Sequence, residues 1–109
     1  MAPHLGYTRI SSVAGSIELE WSLDALSDLD RFATFLHARF PDLATRVAAE
    51  LVRSTDVLRR HPKLGRPIAG RPEYREILLQ VLSGTYALQY RYDGHSILML
   101  RVFHAREAR

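Results

Sequence analysis

The sequence predicts an α+β domain in which an antiparallel sheet of about four strands packs against an N-terminal helical hairpin. Three observations predict it. A segment that alternates apolar and acidic residues occupies positions 17–21. Two amphipathic stretches follow, divided by Pro41-Asp42. The last third is a run of apolar segments punctuated by Gly and Asp-Gly turns.

Each element follows from local pattern. Gly6, Gly15 and several serines mark residues 1–16 as a flexible leader, and residues 17–109 as one domain. Ile17-Glu18-Leu19-Glu20-Trp21 reads as a half-buried strand with its three apolar side chains inward. Ser22 or Asp24 then caps a helix whose inner stripe is Leu26, Leu29, Ala33, Leu36 and Phe40, with Phe32 beside it. On this reading Asp24, Asp28, Asp30 and Arg31 take the wet side. A second helix starts at Asp42, turns Ala44, Val47, Leu51, Thr55 and Leu58 to one face, and stops at Pro62. So short a break makes the two helices an antiparallel pair. Residues 61–72 hold three prolines and two glycines and read as a loop. Strands are expected at residues 74–82, 85–92 and 96–104, with turns at Ser83-Gly84 and Asp93-Gly94.

Composition limits the function. There are no cysteines, so disulfides and thiolate metal sites are excluded and a reducing cytoplasm is the expected location. The five histidines are scattered without ligand spacing, so no metal or cofactor is expected. No apolar run reaches the ~20 residues of a membrane span, and no Gly-rich phosphate loop or GxSxG elbow is present. Charge is asymmetric. Through Arg60 there are seven arginines against eight acids, and from His61 onward eight Lys and Arg against four. Such a strand-rich, cationic end suits an anionic macromolecule. Its candidate contact residues are Arg75, Arg91, Arg101, His104 and Arg106, with Arg66 and Arg71 in the loop before them. The bland reading stands beside it: Tyr86 and Tyr90 as core aromatics, His104 as a hydrogen-bonded residue at the core edge, and Arg75 paired with Glu73 or Asp28. In a simple meander, Arg75 and His104 lie about a strand length apart, ~25 Å.

Leu58-Arg59-Arg60-His61-Pro62-Lys63-Leu64-Gly65-Arg66-Pro67, Tyr74-Arg75-Glu76-Ile77, Tyr86-Ala87-Leu88-Gln89-Tyr90-Arg91 and the ending Phe103-His104-Ala105-Arg106 together resemble the RelE/ParE superfamily of type II toxin–antitoxin toxins, over about residues 17–107. The long helical hairpin and the Pro62–Pro67 block resemble the ParE, or plasmid-stabilisation, branch. That resemblance implies a cytoplasmic toxin that poisons DNA gyrase without being an enzyme. It also implies a hetero-oligomer with a cognate antitoxin docked on the helical flank around Leu43, Val47 and Leu51 and on the sheet edge. The alternative it implies is a RelE-like or YoeB-like endonuclease acting on ribosome-bound mRNA, with Arg75 and His104 as catalytic residues. Against that, Lys63 is the only lysine, Ala105 stands where that branch has a tyrosine, and no tyrosine follows Arg106. A decayed toxin that only binds its antitoxin is the third reading.

Overall fold

The computed structural model describes residues 17–82 and 84–107, and the backbone of β1 (Tyr7–Ile10). The chain runs β1, β2 (Glu18–Ser22), α1 (Leu23–His37), α2 (Pro41–Ser54), α3 (Val57–Arg60), β3 (Arg66–Ile68), β4 (Arg71–Val81), β5 (Gly84–Tyr92) and β6 (Ser96–His104). One six-stranded sheet has the order β1-β2-β6-β5-β4-β3. Every neighbouring pair is antiparallel except β2 with β6, which is parallel. The expected α+β sheet-on-hairpin design is therefore present, with one parallel seam and two further edge strands.

The departures have physical causes. Within the expected flexible leader, Tyr7–Ile10 forms a strand on the free edge of β2; a Tyr-Thr-Arg-Ile string suits extended pairing. Residues 1–6 and 11–16 of that leader lie outside the described residues, as does Ser83 of the expected turn. The loop expected at residues 61–72 contains β3 and the start of β4, joined through Gly70 at φ 75°. Pro67 is tolerated because β3 is an edge strand and needs no donor on its outer side. The second helix ends at Ser54 rather than at Pro62. There the Thr55 hydroxyl and amide both turn back to the Val52 carbonyl, and α3 restarts the chain.

Ser22 caps α1: its Oγ accepts the Ala25 amide at 3.0 Å and donates to the Leu100 carbonyl at 3.1 Å. This joins the helix start to the strand it packs on. Ala25, Leu29 and Phe32 of α1 and Ala44, Val47 and Leu51 of α2 are buried. All but Ala44 share a core with Trp21, Leu88, Tyr90, Ile97, Met99 and Val102 from the sheet. Phe40, expected on the inner stripe, is exposed because α1 stops at His37. A register shift at Gln89/Tyr90 in the β5–β6 ladder inserts one residue into β6. Ile97 and Met99 are thereby buried while Leu98 and Leu100 are only half-buried, the reverse of simple alternation from His104. Among the described residues no helix is long and apolar enough to cross a membrane, and no group of three or more His, Asp or Glu is placed to hold a metal ion.

Candidate functional site

The candidate contact residues do not form one cluster. Cross-strand partners share a face of the sheet. Arg75 pairs with Tyr90, and His104 with Tyr86, on the helix-covered face. Arg91 pairs with Tyr74, and Arg101 with Gln89, on the opposite face. Arg75 and His104 are two strands apart and offset by four positions along β5, a separation of about 16 Å. That is shorter than a full strand, but the Arg75 guanidinium is turned to the carbonyls of the loop before β3.

Four of the five are held by local contacts. Arg75 donates through Nη1 to the carbonyls of Gly65 at 2.8 Å and Lys63 at 3.1 Å; it pairs with neither Glu73 nor Asp28. Arg91 takes Glu73 instead, at 2.7 Å. Arg101 takes Asp28 at 2.9 Å and lies 4.8 Å from the centre of the Phe103 ring. His104 stacks edge-on against Tyr86 at 5.1 Å, and its Nδ1 accepts the Arg106 amide at 3.1 Å. The Arg106 side chain is exposed and makes no ion pair among the described residues.

Asp28 is 1 % exposed, not on the wet side. Its spacing from Ala25, Leu29 and Phe32 put it on the inner stripe, and that was the available signal. The cause lies in the sheet. The β2–β6 ladder ends at Trp21↔Met99, so the upper edge of β6 needs another acceptor. Asp28 Oδ2 accepts the Val102 amide at 2.7 Å, and the two carboxylate oxygens also take Arg101 and Arg31. Burial by itself raises the Asp28 carboxyl pKa. The hydrogen bonds from Arg101, Val102 and Arg31 outweigh it and hold the group below its usual value. Arg31 then reaches Glu107, whose Oε1 accepts the His104 amide at 2.7 Å. The end of β6 is thus tied to α1 through a chain of charged groups.

A groove of about 520 Å³ opens between the hairpin and the β4–β5 end of the sheet. Phe32, Phe35, Leu36, Leu43 and Leu82 supply apolar walls, and Arg31, Arg39, His104, Arg106 and Glu107 form its polar part. Phe35 is 70 % exposed, a large apolar surface left in water. Of the three expected antitoxin contacts, Leu43 and Val47 line this groove, but Val47 is 1 % exposed and Leu51 is fully buried. Leu51 belongs to the core, because α2 turns the Val47–Leu51 face toward the sheet. Phe35 and Leu82 were missed. Phe35 sits off the inner stripe, and Leu82 was read as a strand residue rather than a positive-φ turn residue (φ 55°).

The signature block around Pro62 is a clamped loop. The buried Tyr90 hydroxyl donates to the Pro62 carbonyl at 2.7 Å and accepts the Gly65 amide at 2.9 Å. Arg75 grips the same loop through its carbonyls. A Cβ at Gly65 would stand 2.8 Å from the Tyr90 oxygen and 3.0 Å from the Glu76 carbonyl. Glycine is required here by space. Burial raises the pKa of the Tyr90 phenol, so it remains a donor at neutral pH.

A hairpin over a mostly antiparallel sheet, a clamped His-Pro loop and a charged tie at the end of β6 make up this domain, and comparison with known proteins gives its class. The family model for the ParE toxin of the type II toxin–antitoxin system, parDE, matches residues 19–109. The chain is 32 % identical over 88 residues to Toxin RelE1 of Caulobacter vibrioides, covering 81 % of this chain and 92 % of that protein. Among solved structures, the chromosomal ParDE TA system from P. aeruginosa superposes with a TM-score of 0.63 at 24 % identity, over 79 % of this chain and 92 % of that one. The last likeness concerns the fold alone. The chain belongs to the ParE toxin family of type II toxin–antitoxin systems.

Proposed function

We propose that this toxin acts by binding rather than by catalysis, arresting DNA gyrase, and that a cognate antitoxin silences it through the groove beside Phe35. The observation that supports binding over nucleolysis is the disposition of Arg75 and His104. Cleaving RNA requires a base, an acid and cations around one phosphate. Here Arg75 braces a loop, and His104 lies two strands away with Nδ1 engaged by the backbone. Tyr86, the nearest aromatic hydroxyl, is buried, and burial followed by the charge of Glu107 raises its pKa.

The groove supports the antitoxin reading. Its exposed apolar wall suits the apolar stripe of an amphipathic helix. Arg39 and Arg106 at its border make no ion pair among the described residues and complement acidic flanks. The test of the toxin's action is a supercoiling assay with purified gyrase. Loss of supercoiling and accumulation of cleaved DNA are expected. Unchanged supercoiling at large toxin excess would refute the gyrase target. Cleaved ribosome-bound mRNA that stays intact with His104→Ala would establish the nuclease in its place.

A further inference from the structure

We infer that the clamped loop and the β3–β4 hairpin beside it form a second contact surface, a cationic prow that grips the backbone of double-stranded DNA directly. Residues 57–72 contain Arg59, Arg60, Lys63, Arg66 and Arg71, with no acidic residue between Asp56 and Glu73. Arg59 is buried and lies 3.5 Å from Asp56. The other four are exposed and make no ion pair among the described residues. This separates them from Arg53, Arg91 and Arg101, each of which is neutralised by a carboxylate. Glu76, opposite Arg66 in the ladder, is held by Gln89 at 3.1 Å.

The clamp makes the surface rigid. Tyr90 and Arg75 fix the loop from below through buried or half-buried hydrogen bonds. Side chains on a fixed backbone lose less entropy on binding than those on a mobile one. Position also selects the ligand. β3 is the outer strand of the sheet, so the loop and hairpin project from an edge. Exposed cations on a fixed edge contact duplex phosphates, whereas single strands are bound largely on stacking platforms. The phenol ring in this region, Tyr74, is half-buried with Arg71 5.8 Å from its centre, so the exposed ring there is the small His61 imidazole alone among the described residues.

The test is fluorescence anisotropy of a labelled DNA duplex of about 20 base pairs with purified toxin and no gyrase, titrated across salt. Three to four phosphate contacts predict a log–log salt slope of about −2.7 to −3.6, a weakening of about 40- to 150-fold between ~50 and ~200 mM salt. Arg60→Gln/Lys63→Gln/Arg66→Gln should flatten that slope by about 2.7, while Arg46→Gln on α2 leaves it unchanged. Lys63→Glu alone, at an exposed side chain, should weaken binding without altering the melting curve. No salt-dependent binding, or a triple variant that keeps the slope, overturns the inference. So does duplex RNA bound as tightly as DNA. Displacement by polyglutamate as effective as by unlabelled duplex also overturns it, in favour of an acidic protein partner. Because gyrase is absent, a failure here leaves the supercoiling test untouched, and the reverse holds.

Discussion

Asp28 does for β6 what a neighbouring strand would otherwise do. Replacing it with alanine leaves the Val102 amide and the Arg101 guanidinium without their acceptor. The cost should be on the order of 2–3 kcal/mol, reduced from fully buried pairs because both arginines reach solvent. Chemical denaturation measures it. The pH sign follows from a depressed carboxyl pKa. The stabilisation is complete above the ordinary value near 3.8 and is lost as pH falls through the lower folded-state value. Wild type should therefore lose stability more steeply below about pH 4 than Asp28→Asn; parallel acid curves for the two proteins would contradict this role. Tyr90→Phe removes a hydroxyl with two backbone partners and should cost about 1–2 kcal/mol in the same experiment. Gly65→Ala should cost more, since its methyl meets Glu76 backbone as well as the Tyr90 ring.

At the level of elements, the groove separates residues that hold the helices from those left for a partner. Leu51→Ala removes a core side chain and should cost about 2–5 kcal/mol. Phe35→Asp alters only an exposed wall, so its melting temperature should stay within a few degrees of wild type while antitoxin affinity falls at least tenfold. Isothermal titration against the antitoxin, beside a thermal melt, separates the two. Equal affinity for wild type and Phe35→Asp would place the antitoxin elsewhere. Periodicity made these elements legible: α1, α2 and strands β2, β4, β5 and β6 are all present, although α2 ends early at Ser54 and β4 begins early at Arg71. It did not reveal β3, whose two ends look like loop because proline and glycine dominate them. Nor did it reveal the β6 register shift, which shows only once β5 lies alongside.

Across the whole molecule, the legible part of the candidate site was its chemistry, and the hidden part was its geography. Arg75, Arg91, Arg101 and His104 are the right residue types for meeting an anion. Which carboxylates and carbonyls engage them depends on pairings far apart in sequence, such as Arg101 with Asp28, that no local window contains. The charge asymmetry survives in a different place. Lys63, Arg66 and Arg71, without ion pairs among the described residues, lie at the edge formed by β3 and its preceding loop, while Arg91 and Arg101 on later strands are neutralised and Arg106 stands apart. Replacing Arg60, Lys63 and Arg66 together should leave antitoxin binding intact, because the Phe35 groove contains none of them. A titration in which all three losses weaken the antitoxin would merge the two surfaces into one.

The parallel seam between β2 and β6 has a consequence for how the toxin comes into being. Ser22 meets Leu100 across 78 residues of chain, so at ~5–20 residues per second the ribosome releases β2 about 4–16 s before its mate exists. Throughout that interval β2 has no β6 to pair with, and the first helix lacks the strand it packs on. The groove, whose lining includes His104 and Arg106, is therefore complete only once β6 has been made, and a partner arriving earlier meets a molecule still closing around its own beginning.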